Sequence, residues 1–161
     1  MPIFHTQYSG QEKTPDGKEV PLPPGTLLAQ LGPRAQVAIG LAKPMASQWF
    51  LQGIALPAPL SGHALFDTGA SVTCVDDETA RQLGLPIINM VSIASASHEA
   101  SQHNVYPISL EILGPNIIFE SIYAVGGPLK AQGLVALIGR DVLRLCTLHY
   151  NGPVGQFTLA L

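Results

Sequence analysis

The chain has 161 residues, 47% hydrophobic and only 12% charged, with a mean hydropathy of +0.28. A disordered, charge-rich protein is excluded, and one compact domain with its own core is expected. Eight Lys and Arg against eleven Asp and Glu give a net charge of -3, and no basic run could release counterions from a phosphate backbone, so nucleic acid is not an expected partner.

Residues 1–34 are punctuated by Pro2, Pro15, Pro21, Pro23, Pro24 and Pro33. Proline fixes φ and removes a donor, so the chain divides here into an extended Pro-rich arm or pro-segment, 1–35, and a folded domain, 36–161. Apolar runs at 37–41, 49–56 and 63–66 predict three strands, separated by Pro44, Pro57, Pro59 and Gly62. Residues 76–83 start with acids and end near Arg81, Gly84 and Pro86, the chemistry of a short helix. Strands are expected at 90–94 and 105–112, and the small polar stretch 95–104 between them reads as a long, mobile hairpin tip. A strand at 117–125, a Gly126-Gly127-Pro128 turn and a buried strand at 134–138 follow. Residues 140–145 suit one or two helical turns, and 147–150 and 156–161 suit a terminal hairpin around Asn151-Gly152-Pro153. The class is mainly β, closed or barrel-like.

Cys74 and Cys146 are the only cysteines and are expected as free thiols in a reducing compartment. No apolar run reaches the roughly 20 residues of a spanning helix, so a soluble cytoplasmic protein without membrane contact is expected. So few charges on so apolar a chain also point to apolar surface buried in an oligomer.

In Ala64-Leu65-Phe66-Asp67-Thr68-Gly69-Ala70-Ser71 an acid and a glycine abruptly end an apolar strand, which holds a carboxylate at the edge of the core. An ordinary turn, with Gly69 at positive φ, is the plain alternative. A second feature joins it: Leu134-Val135-Ala136-Leu137-Ile138-Gly139-Arg140-Asp141-Val142-Leu143, an apolar strand ending at Gly-Arg before a helical start. Together the two segments resemble those of retropepsins, the retroviral-type aspartic proteases, over about residues 36–161. The resemblance implies a closed acid-protease β-barrel, here a half-size subunit with one short helix near the C-terminus.

It also implies an aspartic endopeptidase. Hydrolysing an amide without a metal needs a base for water and an acid for the carbonyl oxygen and the leaving nitrogen, and two close carboxylates sharing one proton supply both. Asp67 is the only Asp followed by Thr-Gly or Ser-Gly, so the second carboxylate has to come from a homodimer partner. Asp67, Thr68 and Gly69 are then the catalytic triplet. Thr68 bonds across the two-fold axis, and Gly69 keeps the turn tight. Ala70 and Ser71 form the floor of a cleft for a peptide or protein substrate. A flap at 94–104, with Ser95, Ala96, Ser97 and His98 at its tip, closes over that substrate. Gly139, Arg140 and Asp141 support the site, and the ending Phe157-Thr158-Leu159-Ala160-Leu161 suits an intersubunit sheet of chain termini. No metal or other cofactor is implied.

Two departures matter. The flap holds no glycine, and Ser71 stands where many viral members carry an Asp that pairs with the arginine. Arg140 therefore needs another partner, for which Asp76 and Asp77 are candidates unless those acids only favour the helix N-terminus. His98, Glu99 and His103 lack the spacing of a zinc site. Cys74, inside an apolar run, reads as structural, and Trp49 and Phe50 belong to the core or to a peptide pocket. A peptide-binding or scaffold dimer without turnover is the alternative from another class. A precursor fragment whose arm fills the cleft until removed is a third.

Overall fold

A computed structural model describes residues 2–95 and 98–161, with backbone alone for 94–95 and 98–100. Ala96 and Ser97, named above as flap residues, lie outside the described residues, as do the side chains of Ser95 and His98.

The segment expected to be an irregular arm carries regular structure. It runs through strand β1 (Ile3–Gln7), a hairpin of β2 (Gln11–Lys13) and β3 (Glu19–Pro21), and helix α1 (Pro24–Leu31). The prolines do not prevent this because they sit at element ends, where no donor is lost. Pro24 begins α1, where a helix has no use for an N–H, and Gly32 ends it at φ 71°. Leu28 of α1 is fully buried in the main core. At Gly155 a Cβ would come within 2.2 Å of the Pro24 backbone, so the start of α1 lies hard against the last turn of the chain.

Strand β4 (Arg34–Leu41) follows, and then helix α2 (Lys43–Leu51) where a strand at 49–56 was expected. Pro44 in the first turn and the helix formers Met45, Ala46 and Gln48 start a helix upstream of the apolar run. Trp49 is partly buried against the core, whereas Phe50 is exposed. After β5 (Leu60–Phe66) and β6 (Cys74–Asp76), α3 (Asp77–Gln82) is capped by Asp76, whose carboxylate accepts from the Thr79 amide at 3.0 Å.

Strands β7 (Asn89–Ser95) and β8 (His98–Ile112) pair from Asn89↔Val105 to Ser95↔His98, so the expected long hairpin tip is mostly ladder. Its polarity misleads because exposed side chains such as Met90, Ser92, Ser101 and Gln102 flank the ladder, so no apolar period is demanded there. The chain ends with β9 (Ile117–Gly127), β10 (Ala136–Ile138), α4 (Arg140–Leu143), β11 (Thr147–Asn151) and β12 (Gln156–Ala160).

The main sheet has the order β4-β5-β10-β6-β9-β8-β7, and β4 also pairs with β8. Six strands thereby close into a barrel filled by Val37, Ile39, Phe66, Ile108, Leu110, Ile112, Ile117 and Ile138. The fold is mainly β, as expected; α3 and α4 fall where helical stretches were expected at 76–83 and 140–145, whereas α1 and α2 were not foreseen. No helix among the described residues is long and apolar enough to cross a membrane.

A second sheet has the order β1-β12-β11. Phe157 of β12 is its hub, with ring centroids 5.6 Å from Phe4, 6.4 Å from Tyr8 and 5.7 Å from Phe66. These spacings are those of favourable tilted aromatic pairs. The first and last segments of the chain are thus packed onto the strand that leads to Asp67. Because β12 is paired on both edges within its own chain, it has no free edge for interleaving with a partner's terminus.

Leu28→Ala should lower unfolding stability by about 2–5 kcal/mol, the range for emptying a buried leucine site. Urea denaturation followed by circular dichroism measures this, and an unchanged midpoint would mean that α1 is not part of the cooperative core.

Candidate active site

Strand β5 is antiparallel to β4 and parallel to β10, and its last residue, Phe66, is buried. The next residue, Asp67, leaves the ladder. Its amide still donates to the Ile138 carbonyl at 2.9 Å, which anchors its backbone while its side chain emerges half-buried at the rim. The Gly69 amide donates to Asp67 Oδ1 at 2.7 Å, a charge-assisted bond that fixes one carboxylate oxygen. Asp67 Oδ2 has no partner among the described residues.

Gly69 does not adopt the positive φ of an ordinary glycine turn. Its requirement is closeness, since a Cβ there would lie 3.0 Å from Asp67 Oδ1. Thr68 and Gly69 are exposed, Ala70 is half-buried and Ser71 is exposed.

The segment Gly139-Arg140-Asp141 clamps this turn from below. Arg140 Nη1 donates to the Thr68 carbonyl at 2.8 Å and to the Gly69 carbonyl at 2.9 Å, and the Arg140 amide donates to the Ala70 carbonyl at 3.0 Å. Asp141 holds the far end: Oδ2 accepts from the Thr73 amide at 3.0 Å and Oδ1 from Thr73 Oγ1 at 2.8 Å. The Gly139 amide donates back to Thr73 Oγ1 at 3.1 Å. A Cβ at residue 139 would meet the Val72 carbonyl at 2.5 Å, so only glycine allows this approach.

Arg140 thus takes neither of its two candidate acids. The Asp76 carboxylate is spent on the Thr79 amide and on the amides of Leu129, at 3.0 Å, and Lys130, at 2.9 Å. Asp77 accepts from the Tyr106 hydroxyl at 3.4 Å. Among the described residues no carboxylate lies within ion-pair distance of Arg140, and backbone carbonyls take the place of an acid.

Thr73 escaped the sequence reading. It is fully buried and joins Asp141 to Gly139. Its signal was a lone hydroxyl inside the apolar run Val72-Thr73-Cys74-Val75, because a buried polar group needs partners.

Cys74 and Cys146 are both unpaired. Burial pushes the Cys74 thiol up, and the Asp141 and Asp67 carboxylates push it further. A nucleophilic cysteine needs the opposite environment, one that stabilises thiolate.

No family model matches the chain, and no curated protein matches it. Among solved structures, it is similar to a retropepsin-like aspartic protease from Rickettsia conorii, at 14% identity and TM-score 0.45, covering 96% of this chain and 93% of that one. A simian foamy virus protease is 16% identical with TM-score 0.43, over 70% of this chain and 92% of that one. The retroviral protease-like domain of Ddi1 from Leishmania major is 14% identical with TM-score 0.39, over 73% and 80%.

Asp141→Ala removes the acceptor for two Thr73 donors in a buried setting and should cost about 2–4 kcal/mol of stability. Adding Thr73→Val should cost less than Thr73→Val does alone, because the hydroxyl–carboxylate bond is common to both, while the Gly139 amide loses its acceptor in either background. Additive losses in urea denaturation would contradict the clamp. In a Cys146→Ser background, alkylation of Cys74 should rise with pH at a midpoint above that of an exposed cysteine peptide, since a raised pKa leaves less thiolate at any given pH. A midpoint below it would place the thiol in an activating environment.

Proposed function

We propose that the chain is an aspartic endopeptidase of retropepsin type, active as a homodimer in which Asp67 and Asp67 of the partner subunit share one proton and one water. The observation that carries this reading is the hold on a single carboxylate. Asp67 stands on an outward-facing turn, with Oδ1 pinned by the Gly69 amide at 2.7 Å and the three following carbonyls engaged by Arg140. Such bracing suits a group that must face a like charge, because two close carboxylates repel when both are ionised and settle into one ionised and one protonated form.

In the reaction the ionised carboxylate takes a proton from the water as its oxygen bonds to the peptide carbonyl carbon. The protonated carboxyl gives its proton to the carbonyl oxygen, forming a neutral tetrahedral diol. Collapse of the diol breaks the C–N bond, with a proton passed through the carboxylates to the leaving nitrogen. The pair returns to its starting state, and no metal or other cofactor enters the balance.

Thr68 is assigned the bond across the two-fold axis, Ala70 and Ser71 the floor under the substrate, and the 94–104 hairpin the flap. The substrate is an extended peptide that adds to the hairpin as a strand. Its side-chain pockets are mainly apolar, since few charges surround the turn.

Incubation with an unbiased peptide library from acid to neutral pH tests the reading. The wild type should cleave, and Asp67→Asn, shown to be folded by circular dichroism, should cleave at least about 1,000-fold more slowly. A hydroxyl-bearing mimic of the tetrahedral diol should inhibit. Comparable cleavage by Asp67→Asn would refute the mechanism. No cleavage at any pH by a protein shown to be dimeric would favour a peptide-binding module.

A further inference from the structure

The shared pair of carboxylates needs a second copy, and in the terminal sheet β12 is occupied on both edges, leaving only the outer edges of β1 and β11 unpaired among the described residues. We infer that two copies meet through an apolar depression beside α4, walled by Ile118 and Tyr123 of β9, by Leu145 just after α4, and by Leu161. The inference rests on the shared-dyad reading and names the surface by which the partner's Asp67 is brought in.

Three observations converge on this surface. First, these are large apolar side chains left in water: Ile118 is 49% exposed, Tyr123 67%, Leu145 57% and Leu161 39%. They line one open cavity of about 510 Å³, and contiguous exposed apolar surface of this kind marks a protein interface. Second, the depression reaches the segment that clamps the turn the partner must approach. Asp141 and Val142 form part of its wall, and Asp141 is the residue that holds the end of the catalytic turn through Thr73.

Third, its charges are self-complementary. Arg144 and Glu120 line the same depression. Arg144 Nε donates to the Asp141 carbonyl at 3.1 Å, and among the described residues no carboxylate lies within ion-pair distance of it. Lys43 engages only Oε1 of Glu120, which leaves Oε2. A two-fold contact is isologous, so an arginine and an acid on one patch pair twice with their counterparts on the other. The exposed patch on α2 around Phe50 and Leu51 offers no such match, because Lys43 is the one charged residue lining it and no acid lies on the same patch to pair with its counterpart.

Sedimentation velocity over a concentration series, with peptide cleavage measured on the same samples, tests the surface. The wild type should dimerise. Leu145→Arg, at an exposed position where folding is not at risk, should raise the dimer dissociation constant about 100-fold or more and lower cleavage in step. Arg144→Glu and Glu120→Arg should each weaken the dimer, and the two together should restore it. Leu51→Asp on α2 should leave both readouts unchanged. A Leu145→Arg protein that dimerises and cleaves like the wild type would overturn the surface and leave the shared-dyad reading standing. Loss of the dimer in Leu51→Asp instead would move the interface to α2. A wild type that cleaves while strictly monomeric would overturn the shared dyad itself.

Discussion

The carbonyls of Thr68, Gly69 and Ala70 all turn toward residue 140, two of them onto one guanidinium nitrogen and one onto the backbone amide. Three residues on, the Thr73 amide and hydroxyl are both taken by Asp141. This two-ended grip settles the backbone polar groups of a turn that has left its sheet, which otherwise would rely on water. It is also what orients Asp67, because the side chain that emerges from a turn can be no better placed than the turn itself. The parallel pairing of β5 with β10 makes the grip possible, since both strands then end at the same rim of the barrel, one delivering Asp67 and the other Gly139-Arg140-Asp141.

Behind the turn, the two ends of the chain act together. Phe157 makes tilted ring contacts with Phe4, Tyr8 and Phe66, so the terminal sheet braces the residue immediately before Asp67. The Pro-rich start of the chain contributes β1 to that sheet and Leu28 to the core. The same arrangement constrains assembly, because a strand with both edges paired cannot accept a third neighbour.

Much of this was legible from residue order. The Asp-Thr-Gly and Gly-Arg-Asp segments each follow an apolar run, and such runs are strands whose ends fall at a rim. Asp76 was readable as a cap because acids at a helix start satisfy free amides. What stayed hidden had physical causes. Proline density hid α1, since a proline's effect depends on whether it falls at an element's end or in its interior, which composition does not reveal. The apolar texture of 49–56 hid α2, because short apolar runs do not distinguish strand from helix. The ladder through 98–104 was hidden because an exposed hairpin needs no alternation. The partner of Arg140 was hidden because guanidinium groups bond carbonyls as well as acids, and only the fold brings those carbonyls to it.

The central claim is that one active site is built from two copies of Asp67, and mixed dimers test it most directly. Wild type and Asp67→Asn are combined in known ratios, dissociated, reassembled and assayed for peptide cleavage at constant total protein. A shared site predicts activity that follows the square of the wild-type fraction, about one quarter of full activity at equal proportions. A linear dependence, about one half at equal proportions, would mean that each chain carries a complete site of its own and would contradict the account.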